Sequence, residues 1–440
     1  MKVYLESLGC ARNLVDSENI LGQLVKDHWD IVLLPEEADL IVVNTCSFIA
    51  SAADESIDTI LALAEHKKNG TCKKLVVAGC LPERYGKDIA KALPEVDLFL
   101  GTAAGLKIEE QLNVIGDRVT DKCVFPDPNS VSPEKSDLPR VRTQSHMAYI
   151  KIAEGCSRHC SYCIIPKLRG QFRSRSENDI LIEARALIEQ GTRELILVAE
   201  STTDYGRDLD PPLGLESVLE KLSALPGNFR IRLLYAFPDT LSDAIIEAVG
   251  CLDKVCCYFD VPIQHGVDSV LKKMGRHYTR EDLRLLFERI RNRFPHAALR
   301  TTLITGFPGE SDKDFKDLMA FVEDIRFDHL GVFTYSDSDD LPSHNLTGHV
   351  SAKRSDTRKD HIMEAQAAIS HEINLAHVGQ TYRVLIEENP EEGLYLGRTD
   401  FQAPDVDGLT FVYGDKLTLG EFALVTITDA HEYDLSGDAL

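Results

Sequence analysis

Cys156, Cys160 and Cys163 lie in the run Glu154-Gly155-Cys156-Ser157-Arg158-His159-Cys160-Ser161-Tyr162-Cys163. A C-x3-C-x2-C spacing lets three thiolates wrap one cubic iron–sulfur cluster while one iron keeps no protein ligand. A zinc knuckle draws on the same residue type, but a structural zinc takes four protein ligands. No fourth cysteine or histidine stands at the usual spacing, and His159 lies inside the loop, where it would have to turn back. The spacing therefore favours a cluster with one open iron.

Three further cysteines obey a different rule. Cys10, Cys46 and Cys80 are 36 and 34 residues apart, the length of one β-α unit with its return loop. Each closely follows a short apolar stretch, at 3–8, 40–44 and 75–78, and helical patterns come next at about 14–26, 52–67 and 83–93. Strands alternating with helices predict a parallel sheet. Residues just after successive parallel strands gather at one edge of it, so these thiols are expected to meet in space. The plainer alternative is three core cysteines. Cys72, Cys123, Cys251, Cys256 and Cys257 show neither spacing and read as packing residues.

The elements that must position these groups suggest an α/β chain of three domains. The amino-terminal parallel-sheet domain is expected over 1–123. A linker follows at 124–140, where Pro126, Pro128, Pro133 and Pro139 stand among polar residues without periodicity. In 141–377, strands read at 149–153, 194–198, 230–234, 257–260, 298–303 and 330–334. Six βα units are fewer than the eight of a closed barrel, so an open (β/α)6 partial barrel is expected, with a polar helix at 352–377. In 378–440, short strands at 382–387, 409–412 and 422–429 predict a small β-barrel.

A C-x3-C-x2-C loop directly after the first strand of a partial barrel resembles the radical S-adenosylmethionine (SAM) superfamily. The resemblance implies that SAM chelates the open iron and that the reduced cluster cleaves it to a 5′-deoxyadenosyl radical. It also implies that Tyr162 sits near the adenine and that Glu200, after the second strand, meets the SAM amino group. Thr305-Gly306-Phe307-Pro308-Gly309-Glu310 would lie beside SAM; by itself it is a turn capping the next helix, and it lacks the Gly-Lys-Ser/Thr of a phosphate loop. His265, at the end of Asp260-Val261-Pro262-Ile263-Gln264-His265, reads equally well as a structural or a reacting histidine.

Residues 7–18 (SLGCARNLVDSE), Asn44-Thr45-Cys46, Ala78-Gly79-Cys80-Leu81, Ile165-Pro166-Lys167-Leu168-Arg169-Gly170 and Phe172-Arg173-Ser174-Arg175 resemble the methylthiotransferases of that superfamily over essentially the whole chain, with a TRAM-like barrel at the end. That resemblance implies a second four-iron cluster on Cys10, Cys46 and Cys80, which supplies or carries sulfur, and SAM as the methyl donor. It also implies an electron donor such as a flavodoxin or ferredoxin. One branch of the family modifies an adenosine in tRNA. The other adds a methylthio group to the β-carbon of an aspartate in small-subunit ribosomal protein twelve, and residues 7–18 and Tyr433-Asp434-Leu435 are similar to that branch. A non-catalytic two-cluster electron carrier would explain six cysteines but not the barrel.

Charge points the same way as the second branch. The chain carries a net −23, against a partner held mainly through phosphates, although such acidity by itself is most simply a means of solubility. From Gly379 onward three basic residues, Arg383, Arg398 and Lys416, face thirteen acidic ones. Such a barrel should repel nucleic acid and attract a basic protein. Glu6 interrupts any secretory core, and no apolar run approaches the ~18 residues of a membrane span. A soluble, cytoplasmic enzyme is expected, its thiols kept reduced.

Overall fold

The computed structural model describes residues 1–114, 122–134 and 139–440. Residues 115–121 of the expected first domain and 135–138 of the expected linker lie outside the described residues. The described chain forms two units. One comprises Met1–Thr143, Lys151–His159 and Cys163–Ile180, and the other Gln144–Ile150, Cys160–Tyr162 and Leu181–Leu440.

In the first unit a six-stranded sheet runs in the order Asp30–Ile31, Lys2–Ser7, Leu40–Thr45, Lys74–Gly79, Leu98–Leu100, Cys123–Val124. Every neighbouring pair is parallel. The middles of the central strands, 40–43 and 75–78, are apolar because both faces are covered. Ile41, Val43, Leu75 and Val77 pack on one side with Ala53, Ile60 and Leu63 of helix Ala50–Asn69. Leu40, Val42, Val76 and Ala78 pack on the other with Ile20 and Leu24 of helix Ala11–Lys26. The third expected helix is broken into Cys80–Tyr85 and Lys87–Ala92. Gly86, at φ 56°, turns the chain between them, a conformation that only glycine adopts cheaply.

In the second unit, six strands form two three-stranded sheets. One has the order Arg230–Leu233, Glu194–Val198, Met147–Lys151, and the other Tyr258–Asp260, Ala298–Thr305, His329–Thr334. A single bridge, Ile231 to Val255, continues the curve from one to the other. This is the open partial barrel expected from six βα units. Helix Ala352–Leu375 leads into a closed five-stranded barrel ordered Thr381–Glu391, Leu394–Arg398, Thr410–Tyr413, Leu435–Ala439, Phe422–Ala430. Its interior is filled by Val384, Ile386, Tyr395, Val412, Val425, Ile427 and Leu435.

Ion pairs fasten the two barrels of this unit together. Glu194 accepts from Arg230 at 2.9 Å, Arg232 at 2.7 Å and Arg398 at 2.6 Å, and all four side chains are buried. Arg398 also holds Glu387 at 2.9 Å, and His146 reaches the same carboxylate at 3.2 Å. Elsewhere Asp407 accepts from Tyr258 Oη at 2.6 Å and from Arg300 Nε at 3.2 Å.

Candidate active site

Each cysteine of the amino-terminal triplet follows one of three adjacent strands. Cys10 stands between strand Lys2–Ser7 and helix Ala11–Lys26, Cys46 directly follows Leu40–Thr45, and Cys80 directly follows Lys74–Gly79. The three turns touch. Asn13 Nδ2 donates to the carbonyls of Leu8 at 3.0 Å and Thr45 at 2.9 Å. Asn44 Nδ2 donates to Asn13 O at 2.9 Å, and Thr45 Oγ1 donates to Ala78 O at 2.7 Å. Two glycines make this approach feasible. A Cβ on Gly9 (φ +93°) would stand 2.6 Å from Cys46 Cβ, and one on Gly79 (φ +97°) 2.4 Å from Asn44 Oδ1. The turns that carry Cys10, Cys46 and Cys80 thus meet at one sheet edge. Burial pushes the Cys80 thiol up to about 12, with Arg169 pulling against it and Cys10 and Cys46 adding to the rise. Burial raises Cys46 too.

Among the described residues no three His, Cys, Asp or Glu side chains converge on an ion-sized point. A four-iron cube takes one thiolate per iron and so asks for thiols spread apart around it. Three thiols from three turns suit such a cube, and binding iron would convert them to thiolates.

The second triplet occupies the loop between strand Ala153–Glu154 and helix Ile165–Arg169. Cys156 N donates to Gly170 O at 3.0 Å, and Phe172 N donates to Ser157 Oγ at 3.0 Å. Cys160–Tyr162 belongs to the second unit, where Ser161 N donates to Met274 O at 3.0 Å and Ser343 N to Ser161 O at 2.9 Å. All three cysteines are partly exposed, a donor set suited to a cluster that must meet a small molecule.

Tyr162 stands edge-on to Phe307, their centroids 6.3 Å apart, and Phe307 edge-on to Tyr335 at 5.3 Å. Arg276 donates to Tyr162 Oη at 2.5 Å and lies over the Phe237 ring at 4.4 Å. An apolar aromatic wall with a few fixed polar groups is what an adenosine moiety needs. Glu200, half-buried, comes just after strand Glu194–Val198. Tyr235 (φ +62°) and Gln264 (φ +70°) follow two other barrel strands. Side chains other than glycine in that region carry strain, which clusters at functional sites. The Thr305–Glu310 turn closes on itself: Phe307 N donates to Glu310 Oε2 at 3.2 Å, and Arg358 pairs with Glu310 Oε1 at 3.1 Å. His265 is fully buried, its Nδ1 accepts from Val267 N at 3.1 Å, and burial lowers its pKa to about 3.

Between the two cysteine sequences of the first unit lies a buried charge quartet that spacing alone did not reveal. Lys151 Nζ donates to Asp16 and Glu154, both at 2.6 Å. Arg169 Nη1 donates to Asp16 and Glu154, both at 2.9 Å, and its Nη2 donates to Asn13 Oδ1 at 2.5 Å. The available signals were Asp16 in residues 7–18 and Arg169 in Ile165–Gly170, stretches that carry the resemblance but whose pairing spacing does not show. An open groove of ≈ 900 Å³ along helix Arg280–Arg293, beside Pro238 and Asp239, includes none of these residues.

Residues 2–101 match the uncharacterized protein family UPF0004, 150–322 the radical SAM superfamily and 378–440 the TRAM domain. The ribosomal protein uS12 methylthiotransferase RimO of Desulfosudis oleivorans is 48% identical over 441 residues, covering 100% of both chains. The chain belongs to the RimO family. The RimO of Clostridioides difficile is 45% identical, covering 100% of this chain and 99% of its own. Among solved structures, the radical SAM methyltransferase TsrM from Kitasatospora setae, with tryptophan and a SAM analogue bound, superposes with a TM-score of 0.59 at 14% identity. That match covers 84% of this chain and 89% of TsrM, and it speaks for the fold alone. As a RimO-family protein the chain is a radical SAM methylthiotransferase, an enzyme that uses SAM and a four-iron cluster.

Proposed function

We propose that this enzyme adds a methylthio group to the β-carbon of an aspartate in ribosomal protein uS12. Cys156, Cys160 and Cys163 hold the cluster that binds SAM, with Tyr162 against the adenine and Glu200 at the amino group. Cys10, Cys46 and Cys80 hold a second four-iron cluster that carries the sulfur to be transferred. Electrons come from a small carrier such as flavodoxin or ferredoxin. The cluster and SAM together supply a radical able to take hydrogen from an unactivated C–H bond. The protein's part is to fix the loop, shield the site and present the substrate. Residues 1–123 form the auxiliary-cluster domain, 141–377 the SAM domain after a linker at 124–140, and 378–440 the substrate-recognition barrel.

The observation that carries this reading is the gathering of Cys10, Cys46 and Cys80 at one sheet edge, a donor set an ordinary radical SAM domain has no use for. The choice of a protein substrate rests on the acidic barrel. Of its three basic residues, Arg398 is buried against Glu194 and Glu387, which leaves only Arg383 and Lys416 exposed among thirteen acidic residues. Mass spectrometry of uS12 from cells with and without the enzyme tests the proposal. A methylthio mass increment on an aspartate, lost with the gene, is expected. An increment on tRNA adenosine with uS12 unmodified would establish the other branch.

A further inference from the structure

Arg169 is almost wholly buried and touches the surroundings of both cysteine triplets. Through Nη2 it grips Asn13 Oδ1, the same oxygen that receives the Cys80 thiol at 3.9 Å. The other end of the Asn13 amide is bonded to the carbonyls of Leu8 and Thr45, so one side chain is in contact with all three cysteine turns. Through Nη1 it holds Glu154, two residues before Cys156. With its side chain so far removed from water, the Arg169 charge acts strongly on its neighbours. A guanidinium stays protonated at any working pH, and Asp16 and Glu154 both accept from it at 2.9 Å.

Resting on the two-cluster reading above, we infer that Arg169 is a positioning residue that selectively raises the reduction potential of the Cys10, Cys46 and Cys80 cluster. Reduction adds negative charge to a cluster, and cluster potentials follow net charge, hydrogen bonds and solvent exposure. A cation fixed through Asn13 beside Cys80 stabilises the reduced form. On the other side, Glu154, two residues before Cys156, accepts directly from the guanidinium at 2.9 Å, so the same charge is partly neutralised toward that loop. The two clusters therefore experience Arg169 unequally, and outer-shell groups of this kind are known to tune metal centres.

The test is an EPR-monitored redox titration of full-length, anaerobically reconstituted protein in two backgrounds. In Cys156→Ala/Cys160→Ala/Cys163→Ala, which keeps only the amino-terminal cluster, Arg169→Gln should move the midpoint to more negative values. Arg169→Lys, which keeps the charge but not the forked geometry, should fall between Gln and the parent. In Cys10→Ala/Cys46→Ala/Cys80→Ala, Arg169→Gln should leave the midpoint nearly unmoved. An assembled amino-terminal cluster with an unshifted midpoint, or equal shifts in both backgrounds, would overturn the inference. Should the Gln variant lose its iron, the Lys variant decides by the same criterion. No cluster at all in the first background would overturn the two-cluster reading and this inference with it, a result distinct from a cluster whose potential does not move.

Discussion

Arg398, on a strand of the small carboxy-terminal barrel, donates to Glu194, the first residue of a SAM-domain strand, at 2.6 Å with both side chains buried. Glu194 is the common acceptor for three arginines, which hold its carboxyl well below the usual range although burial acts the other way. Removing one partner of a buried pair leaves charge uncompensated and costs ~3–5 kcal/mol. Glu194→Gln should therefore lower stability by about that much in denaturant unfolding of the full chain. Because the folded carboxyl titrates lower than the unfolded one, this stabilisation is complete at neutral pH and disappears only as pH falls through the folded value. A Gln variant as stable as the parent would show the cluster to be energetically idle.

Metal content separates the two cysteine sites. Reconstituted wild-type protein should carry about eight irons, as two four-iron cubes. Changing Cys156, Cys160 and Cys163 to Ala should halve the iron and abolish SAM cleavage. Changing Cys10, Cys46 and Cys80 should halve the iron while 5′-deoxyadenosine still forms. Full iron in the second variant would remove the auxiliary cluster from the account.

His265 makes a pH prediction with a definite sign. Burial is the main cause of its depressed pKa, with Asp314 opposing and Arg358 reinforcing, to about 3. The unfolded chain takes up the proton near pH 6.5, the folded chain only near 3, so stability contributed by the neutral ring is intact above 6.5 and declines below it. By pH 5 that loss is ~2 kcal/mol. His265→Asn, whose side-chain oxygen can still accept from Val267 N, should lose correspondingly less stability between pH 7 and 5. Parallel pH profiles for the two proteins would refute a neutral, structural His265.

Partner choice should depend on the exposed acids of the barrel hairpin. Glu388, Glu391 and Glu392 face solvent, whereas Glu387, which the sequence groups with them, is held by Arg398 and His146 and is unavailable to a partner. Replacing the exposed three with Lys should slow association with uS12 at low salt and narrow the gap as salt rises, since the screening length is ~8 Å at 0.15 M. SAM cleavage without substrate should not change. Stopped-flow association across a salt series measures this, and an unchanged rate at low salt would remove the electrostatic argument for a protein substrate.

Where local pattern and tertiary environment agree, the architecture could be read in advance. Glu194–Val198 is an apolar run buried in a sheet, and its limits coincide with those expected. The barrel strands Leu394–Arg398 and Leu435–Ala439 were not expected, because Gly397 and then Ser436, Gly437 and Asp438 have little strand preference on their own. They are held by antiparallel partners on neighbouring strands. The cysteine triplets were legible because metal chemistry imposes spacing. Asn13 and Arg169 were not, since nothing in a sequence announces a bond between residues 156 positions apart. Glu387 shows the same limit: a charged residue in a polar stretch looks exposed until its buried arginine is seen.

The crowding of Gly9 against Cys46 and Gly79 against Asn44 makes the two ends of the amino-terminal sheet unequal as places to engineer. At the cysteine end the turns are interlocked, so a tag or a circularly permuted terminus there would have to prise them apart. At the opposite end the turn at 69–71, just ahead of strand Lys74–Gly79, is exposed. A fluorophore or affinity handle inserted there would leave the cysteine turns undisturbed, giving a way to report on or immobilise the enzyme with its chemistry intact.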